Sequence, residues 1–111
     1  MSTATVELQF GDQGPSRDAA TGDGPVDAIF KTMQRMTGLP SSLQSYQVRS
    51  VSGGEDAQGE VHVQLVHRGR VYNGRGVSTD ILEASAQAFL RALNKAAVAA
   101  HGDDHPRLAT V

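Results

Sequence analysis

Val6, Leu8 and Phe10 alternate with polar neighbours near the start of the chain, which is the period of a strand with one buried face. This predicts a strand over Thr5 to Phe10. The stretch from Gly11 to Asp18 is rich in Gly, Pro and Asp and reads as a loop, followed by a short second strand through Ala19 to Thr21. At Gly24-Pro25 the period changes, and Val26, Ile29, Phe30 and Met33 recur at helical spacing as far as Thr37. Proline suits the first helical position because the donor it lacks would go unsatisfied there, and Asp27 falls in the first turn, where the helix dipole favours a carboxylate. Gly38 and Pro40 are stop signals.

The second half has the same grammar with one more strand. Leu43 to Ser52 carries Tyr46 and Val48, SGGEDAQG forms a polar link, and Glu60 to His67 sets Val61, Val63 and Leu65 on one face. Arg68-Gly69 is a hairpin signal leading into Arg70 to Ser78, so three strands arrive in sequence as an antiparallel meander. Ser78, Thr79 and Asp80 all offer N-cap chemistry, and Asp80 with Glu83 resembles a capping box. From Ile81 onward Ala84, Ala88, Ala92 and Ala96 make a small-residue stripe beside Leu82, Phe89, Leu90 and Leu93, which predicts a helix lying close on a sheet. After Ala100 the periodicity ends. Residues 1–100 are therefore expected to form the domain, and 101–111 a frayed tail.

GDGPVDAIF from Gly22 and GRGVSTDILEA from Gly74 each look like a strand end admitting a helix. The chain thus reads as an imperfect duplication of βββα units, an α+β fold with antiparallel sheets packed against two helices. The first copy shows two strands where the second shows three. A missing strand leaves a sheet edge that needs a partner or a charge.

Composition narrows the function. With 111 residues, 39% hydrophobic and no Trp, a single modest core is expected, and self-association would add burial. Ten scattered Lys and Arg against twelve Asp and Glu give no basic field for nucleic acid. The absence of cysteine rules out a disulfide framework, a thiolate nucleophile and a thiolate metal site within this sequence. No apolar run is long enough to cross a bilayer, and MSTATVELQF lacks the features of a signal peptide. No membrane partner is expected, and a cytoplasmic location is the default.

The GxGPV turn, the tyrosine strand LQSYQVRSV, the G-x-D-A-x-G-x-V link and the STDI-x-EAS-x-A helix start occur in one order. Together they resemble the C-terminal regulatory domain of 2-isopropylmalate synthase over roughly Thr5 to Ala97. Related citramalate synthases carry a similar domain responding to isoleucine, so the effector stays open. The resemblance implies a homodimer that binds leucine or another branched-chain amino acid near the subunit interface, with a catalytic barrel outside this chain. It further implies effector contacts at Gly24, Val26, Tyr46 and Ile81, no cofactor, and no catalysis by this chain alone. The alternative is a free-standing relative with a different ligand or a new activity.

The residue chemistry is compatible with such a site. Helix starts present N–H groups to a carboxylate, glycine permits close approach, and Asp80 could take the ammonium. Each assignment has a structural competitor: the glycines could simply make turns, Asp27 and Asp80 could serve the helix starts, and Val26, Ile81 and Tyr46 could be core. His62 and His67 fall on opposite faces of one strand, and Gly102 and Pro106 argue against a helical His101/His105 metal pair. No metal site is expected. GDGPVD and GRGVST lack the third glycine of GxGxxG and the lysine of a P-loop, and no serine has a nucleophile-elbow context.

Overall fold

The computed structural model describes residues 2–9, 15–51, 58–101 and 107–110. The elements run β1 (Ser2–Gln9), β2 (Pro15–Gly22), α1 (Pro25–Thr37), β3 (Ser42–Val51), β4 (Gln58–His67), β5 (Arg70–Ser78), α2 (Ile81–His101) and β6 (Arg107–Thr110). They form two antiparallel three-stranded sheets, ordered β2-β1-β6 and β3-β4-β5, so the expected α+β class holds. Phe10, the Gly11–Gly14 part of the expected loop and residues 52–57 of the polar link lie outside the described residues.

Two expectations about the first sheet change. β2 is eight residues long, pairing with β1 from Ser2↔Gly22 to Gln9↔Pro15, rather than a short piece at Ala19 to Thr21. Its sequence, PSRDAATG, has no alternating apolar set, so pairing with β1 rather than periodicity defines it. The chain end also differs from a frayed tail. Arg107–Thr110 form β6, antiparallel to Glu7–Gln9 with an irregularity between Glu7 and Leu8. Four residues are too few for a hydrophobic period to register.

The second sheet follows its sequence. Register runs from Ser42↔Val66 to Val51↔Gln58 between β3 and β4, and from Gly59↔Ser78 to His67↔Arg70 between β4 and β5. The β4–β5 hairpin turns on Arg68 (φ 53°) and Gly69 (φ 77°), and positive φ at both central residues is what a type I′ turn requires.

Each helix covers its own sheet and the two helices meet. Val6 and Leu8 of β1, Val61, Val63 and Leu65 of β4, Ile29, Phe30 and Met33 of α1, and the α2 stripe with Phe89 and Leu93 make one core. Phe30 and Phe89 join the halves at 5.0 Å between ring centroids. His67 turns inward and donates from Nδ1 to the Pro40 carbonyl (2.5 Å), whereas His62 lies on the opposite face beside Glu60. Among the described residues no helix is long and apolar enough to cross a membrane.

The glycine pairs are not equivalent turns. Gly22 ends β2 and Gly24 opens α1, but Gly74 and Gly76 lie inside β5 beneath α2. A Cβ built on Gly74 would fall 1.9 Å from the Ala88 carbonyl oxygen, and one on Gly76 would fall 2.0 Å from that of Ala84. These two glycines and the alanine stripe together let the helix backbone rest on the strand. The counterpart of Gly76 is Gly22, whose Cβ would meet the backbone of Ala28 at 2.6 Å. Ala28 and Ala84 are each the fourth residue of their helix. The repeat is real, but its in-register glycines are not the ones that sequence spacing pairs.

The candidate effector cleft

The two helix starts are finished differently. Gly24 is the N-cap of α1 in an extended conformation (φ −163°), and it has no side chain with which to cap. Pro25 follows at the first helical position. Asp27 Oδ2 accepts from the Asp23 N–H (2.9 Å) and lies 3.1 Å from Lys31 Nζ. Those two contacts, the backbone bond first, hold the Asp27 carboxyl below its usual range. This is the helix-start role. The α1 dipole end therefore keeps first-turn amides uncapped by the residue before them, which suits an anion.

At α2, Asp80 Oδ1 accepts from the Leu82 N–H (2.9 Å), a true N-cap. The expected capping box with Glu83 takes another form: the Asp80 N–H goes to Ser78 Oγ (3.1 Å), and that hydroxyl donates to Glu83 Oε2 (3.2 Å). Ser78 is thus interposed between the two residues that the spacing pairs. Asp80 remains exposed, so its second oxygen has room for another donor.

A cleft of about 180 Å³ lies where these starts approach, lined by Thr3, Ala4, Thr5, Pro25, Ile29, Asp80 and Leu82. It is smaller than the ~300–1,000 Å³ pockets of drug-sized ligands. Its walls combine the start of β1 with its two threonines, an apolar pair in Ile29 and Leu82, and one carboxylate. Of the five residues singled out from sequence, Asp80 lines this cleft, while Gly24 and Val26 flank its Pro25. Val26 is half-buried against the core. Ile81 is 37% exposed and packs near Gly59.

Tyr46 lies on β3 and reaches the same helix start through an intermediary. Its hydroxyl is 2.7 Å from Ser85 Oγ, and Ser85 Oγ donates to the Ile81 carbonyl (2.7 Å). With one hydrogen on each hydroxyl, that order makes Tyr46 the donor to Ser85. Tyr46 and Ile81 are therefore coupled through Ser85. In the sequence Ser85 lacks a nucleophile-elbow context and carries no signal of this link. Thr3 and Thr5 carry no local signal, whereas Leu82 and Pro25 could have been found as neighbours of Ile81 and Gly24.

Away from the cleft the surface mixes exposed apolar side chains, among them Val48, Val71 and Val98, with ion-paired charges. On the uncovered face of the second sheet, Arg75 and His62 both reach the Glu60 carboxylate, Arg75 at 3.1 Å. Hydrogen bonds from Arg75 and then His62 lower the Glu60 pKa from 4.5 to about 2. A depressed folded pKa contributes stability that is complete above the unfolded value and lost as pH falls through the folded one. The wild-type chain is therefore expected to lose stability between pH 4.5 and about 2 more steeply than Glu60→Gln. Urea midpoints measured across that window would check this, and parallel pH profiles would refute it.

A scan against family models matches residues 1–97 to the LeuA allosteric (dimerisation) domain. The chain is similar to a 2-isopropylmalate synthase of Carboxydothermus hydrogenoformans, 54% identical over 94 residues, covering 84% of this chain and 18% of that protein. It is likewise similar to the 2-isopropylmalate synthases of Heliobacterium modesticaldum, at 50% over 84% of the chain and 18% of the relative, and of Pyrococcus furiosus, at 47% over 86% and 19%. The chain spans about 18% of the length of the curated relatives it matches.

Proposed function

Because the chain belongs to the LeuA allosteric (dimerisation) domain family, we propose that it is a regulatory homodimer module that binds leucine or another branched-chain amino acid. In the cytoplasm it would exert feedback control on a 2-isopropylmalate synthase whose catalytic domain lies outside these residues. The observation that carries the ligand reading is the convergence of both helix starts on one cleft with an apolar wall.

An α-amino acid matches that wall chemically. Its carboxylate faces the α1 start at Gly24 and Val26, where no side chain caps the dipole. Its ammonium takes the free oxygen of Asp80, and its branched side chain lies on Ile29 and Leu82. Tyr46 and Ile81, joined through Ser85, fix the α2 start that carries Asp80. Regulation then follows from differential affinity: a ligand that binds one arrangement of the module better stabilises that arrangement, and the coupling is reciprocal.

Titration calorimetry with leucine, isoleucine, valine and alanine tests the reading. Burial of a leucine-sized side chain is worth about 1.5–3 kcal/mol, so alanine is expected to bind at least about tenfold more weakly than the best branched ligand. Asp80→Asn keeps an N-cap oxygen while removing the charge, and it is expected to weaken binding about tenfold or more with unchanged thermal stability. Heat-silent titrations of a folded protein with all four amino acids would refute the ligand assignment.

A further inference from the structure

Along the side of α2 that meets β5, the helix changes what it offers. Glu83, Gln87, Arg91 and Lys95 recur at four-residue intervals, which places them in one row. Glu83 Oε2 accepts from Ser78 Oγ (3.2 Å), Gln87 Oε1 accepts the Val77 N–H (3.2 Å), and Arg91 Nη1 donates to the Arg75 carbonyl (2.6 Å). These three side chains tie the helix to its strand. Lys95 continues the row, but among the described residues neither it nor Arg91 meets a carboxylate. Lys31 on α1 is the contrast, since Asp27 four residues before it lies 3.1 Å away.

A groove of about 550 Å³ opens at this end of the row, lined by Arg75, Arg91, Asn94, Lys95 and Val98. Three of its five lining residues are cations and none is an acid, in a chain whose net charge is −2. Two of the cations are held in advance, Arg75 by Glu60 Oε2 (3.1 Å) and Arg91 by its bond to the strand. A guanidinium fixed in this way loses less freedom when it takes a ligand. Arg91 and Lys95 are also like charges at i and i+4, an arrangement that weakens a helix and that a bound anion relieves. Val98 is 43% exposed, and with the aliphatic stems of Arg91 and Lys95 it supplies an apolar floor. The volume falls within the ~300–1,000 Å³ range of small-molecule pockets.

We propose that this groove binds a phosphorylated small molecule, a diphosphate ester whose anionic head lies among Arg75, Arg91 and Lys95 and whose carbon part lies on Val98. Guanidinium groups meet phosphate oxygens with paired N–H donors, and lysine adds a point charge. A terminal phosphate carries about −1.5 to −2 at neutral pH and its neighbour adds to that, so one compact head balances three cations. A carboxylate brings a single charge. No lining residue is shared with the amino-acid cleft, so the inference goes beyond the proposed function and does not depend on it.

Titration calorimetry of the full chain with methyl diphosphate tests the site, in about 0.15 M salt so that long-range attraction is screened. Saturable one-to-one binding is expected. Arg91→Gln and Lys95→Gln are each expected to weaken it about threefold, and the double variant about tenfold. Lys95 makes no bond that the fold uses, so that variant stays informative if Arg91→Gln loosens the strand. Arg17→Gln makes the same charge change at an exposed position on β2 and is expected to leave the affinity unchanged. Pentyl diphosphate is expected to bind about fourfold or more tighter than methyl diphosphate, and Val98→Ser to remove that gain alone. Absence of saturable binding by the folded chain overturns the site. A loss at Arg17→Gln equal to that at Lys95→Gln overturns it as well, because general attraction would then explain the heat. Citrate binding as tightly as methyl diphosphate overturns the phosphate assignment.

Discussion

Gly74→Ala is expected to destabilise the domain by about 3 kcal/mol or more, the upper end of overpacking penalties. The added methyl carbon would sit 1.9 Å from the Ala88 carbonyl oxygen and 2.9 Å from the Ala92 amide nitrogen. Both are backbone atoms, so no rotamer change relieves the clash. Gly76→Ala meets Ala84 in the same way at 2.0 Å. The effect is steric, since neither glycine has a positive φ. Gly24→Ala is the control: nothing lies within 4 Å of its Cβ position, and its cost is expected to stay under about 1 kcal/mol. Typical domains hold only ~5–15 kcal/mol in all, so the difference in urea midpoint should be large. Equal midpoints for Gly74→Ala and Gly24→Ala would mean that α2 does not rest on β5.

Those glycines also show what a sequence reveals and what it withholds. β4 and β5 are legible because Val61, Val63 and Leu65 alternate and Arg68-Gly69 marks the turn. α1 is legible because Gly24-Pro25 and Gly38 bracket an apolar stripe. Gly74 and Gly76 mislead because a glycine that makes room for a helix and a glycine that makes a turn leave the same letter. The first half of β2 and all of β6 escape because pairing with β1, not their own pattern, makes them strands. The candidate site divides in the same manner. Asp80 announces itself by its place before a helix, while Thr3 matters only through neighbours 22 to 79 positions away in sequence. The shorter span is from Thr3 to Pro25 and the longer from Thr3 to Leu82, residues brought together only by folding.

Phe89→Ala is expected to cost about 3–5 kcal/mol, the range for emptying a buried aromatic position. Phe89 is fully buried, with the Phe30 ring at 5.0 Å and the Tyr46 ring at 6.2 Å. It is the point at which α1, α2 and β3 meet, so its loss opens a cavity between the two halves rather than within one. The ring pair with Phe30 adds a term beyond area, and a double-mutant cycle using Phe30→Leu and Phe89→Leu is expected to show coupling of about 0.5–1.5 kcal/mol. A consequence for the cleft follows from position. Phe89 does not line it, yet Phe89 holds both helices whose starts do. Phe89→Leu, which keeps most of the volume, is therefore expected to weaken amino-acid binding while the chain stays folded. Unchanged affinity in that folded variant would show that the two helix starts are held together by contacts other than the aromatic bridge.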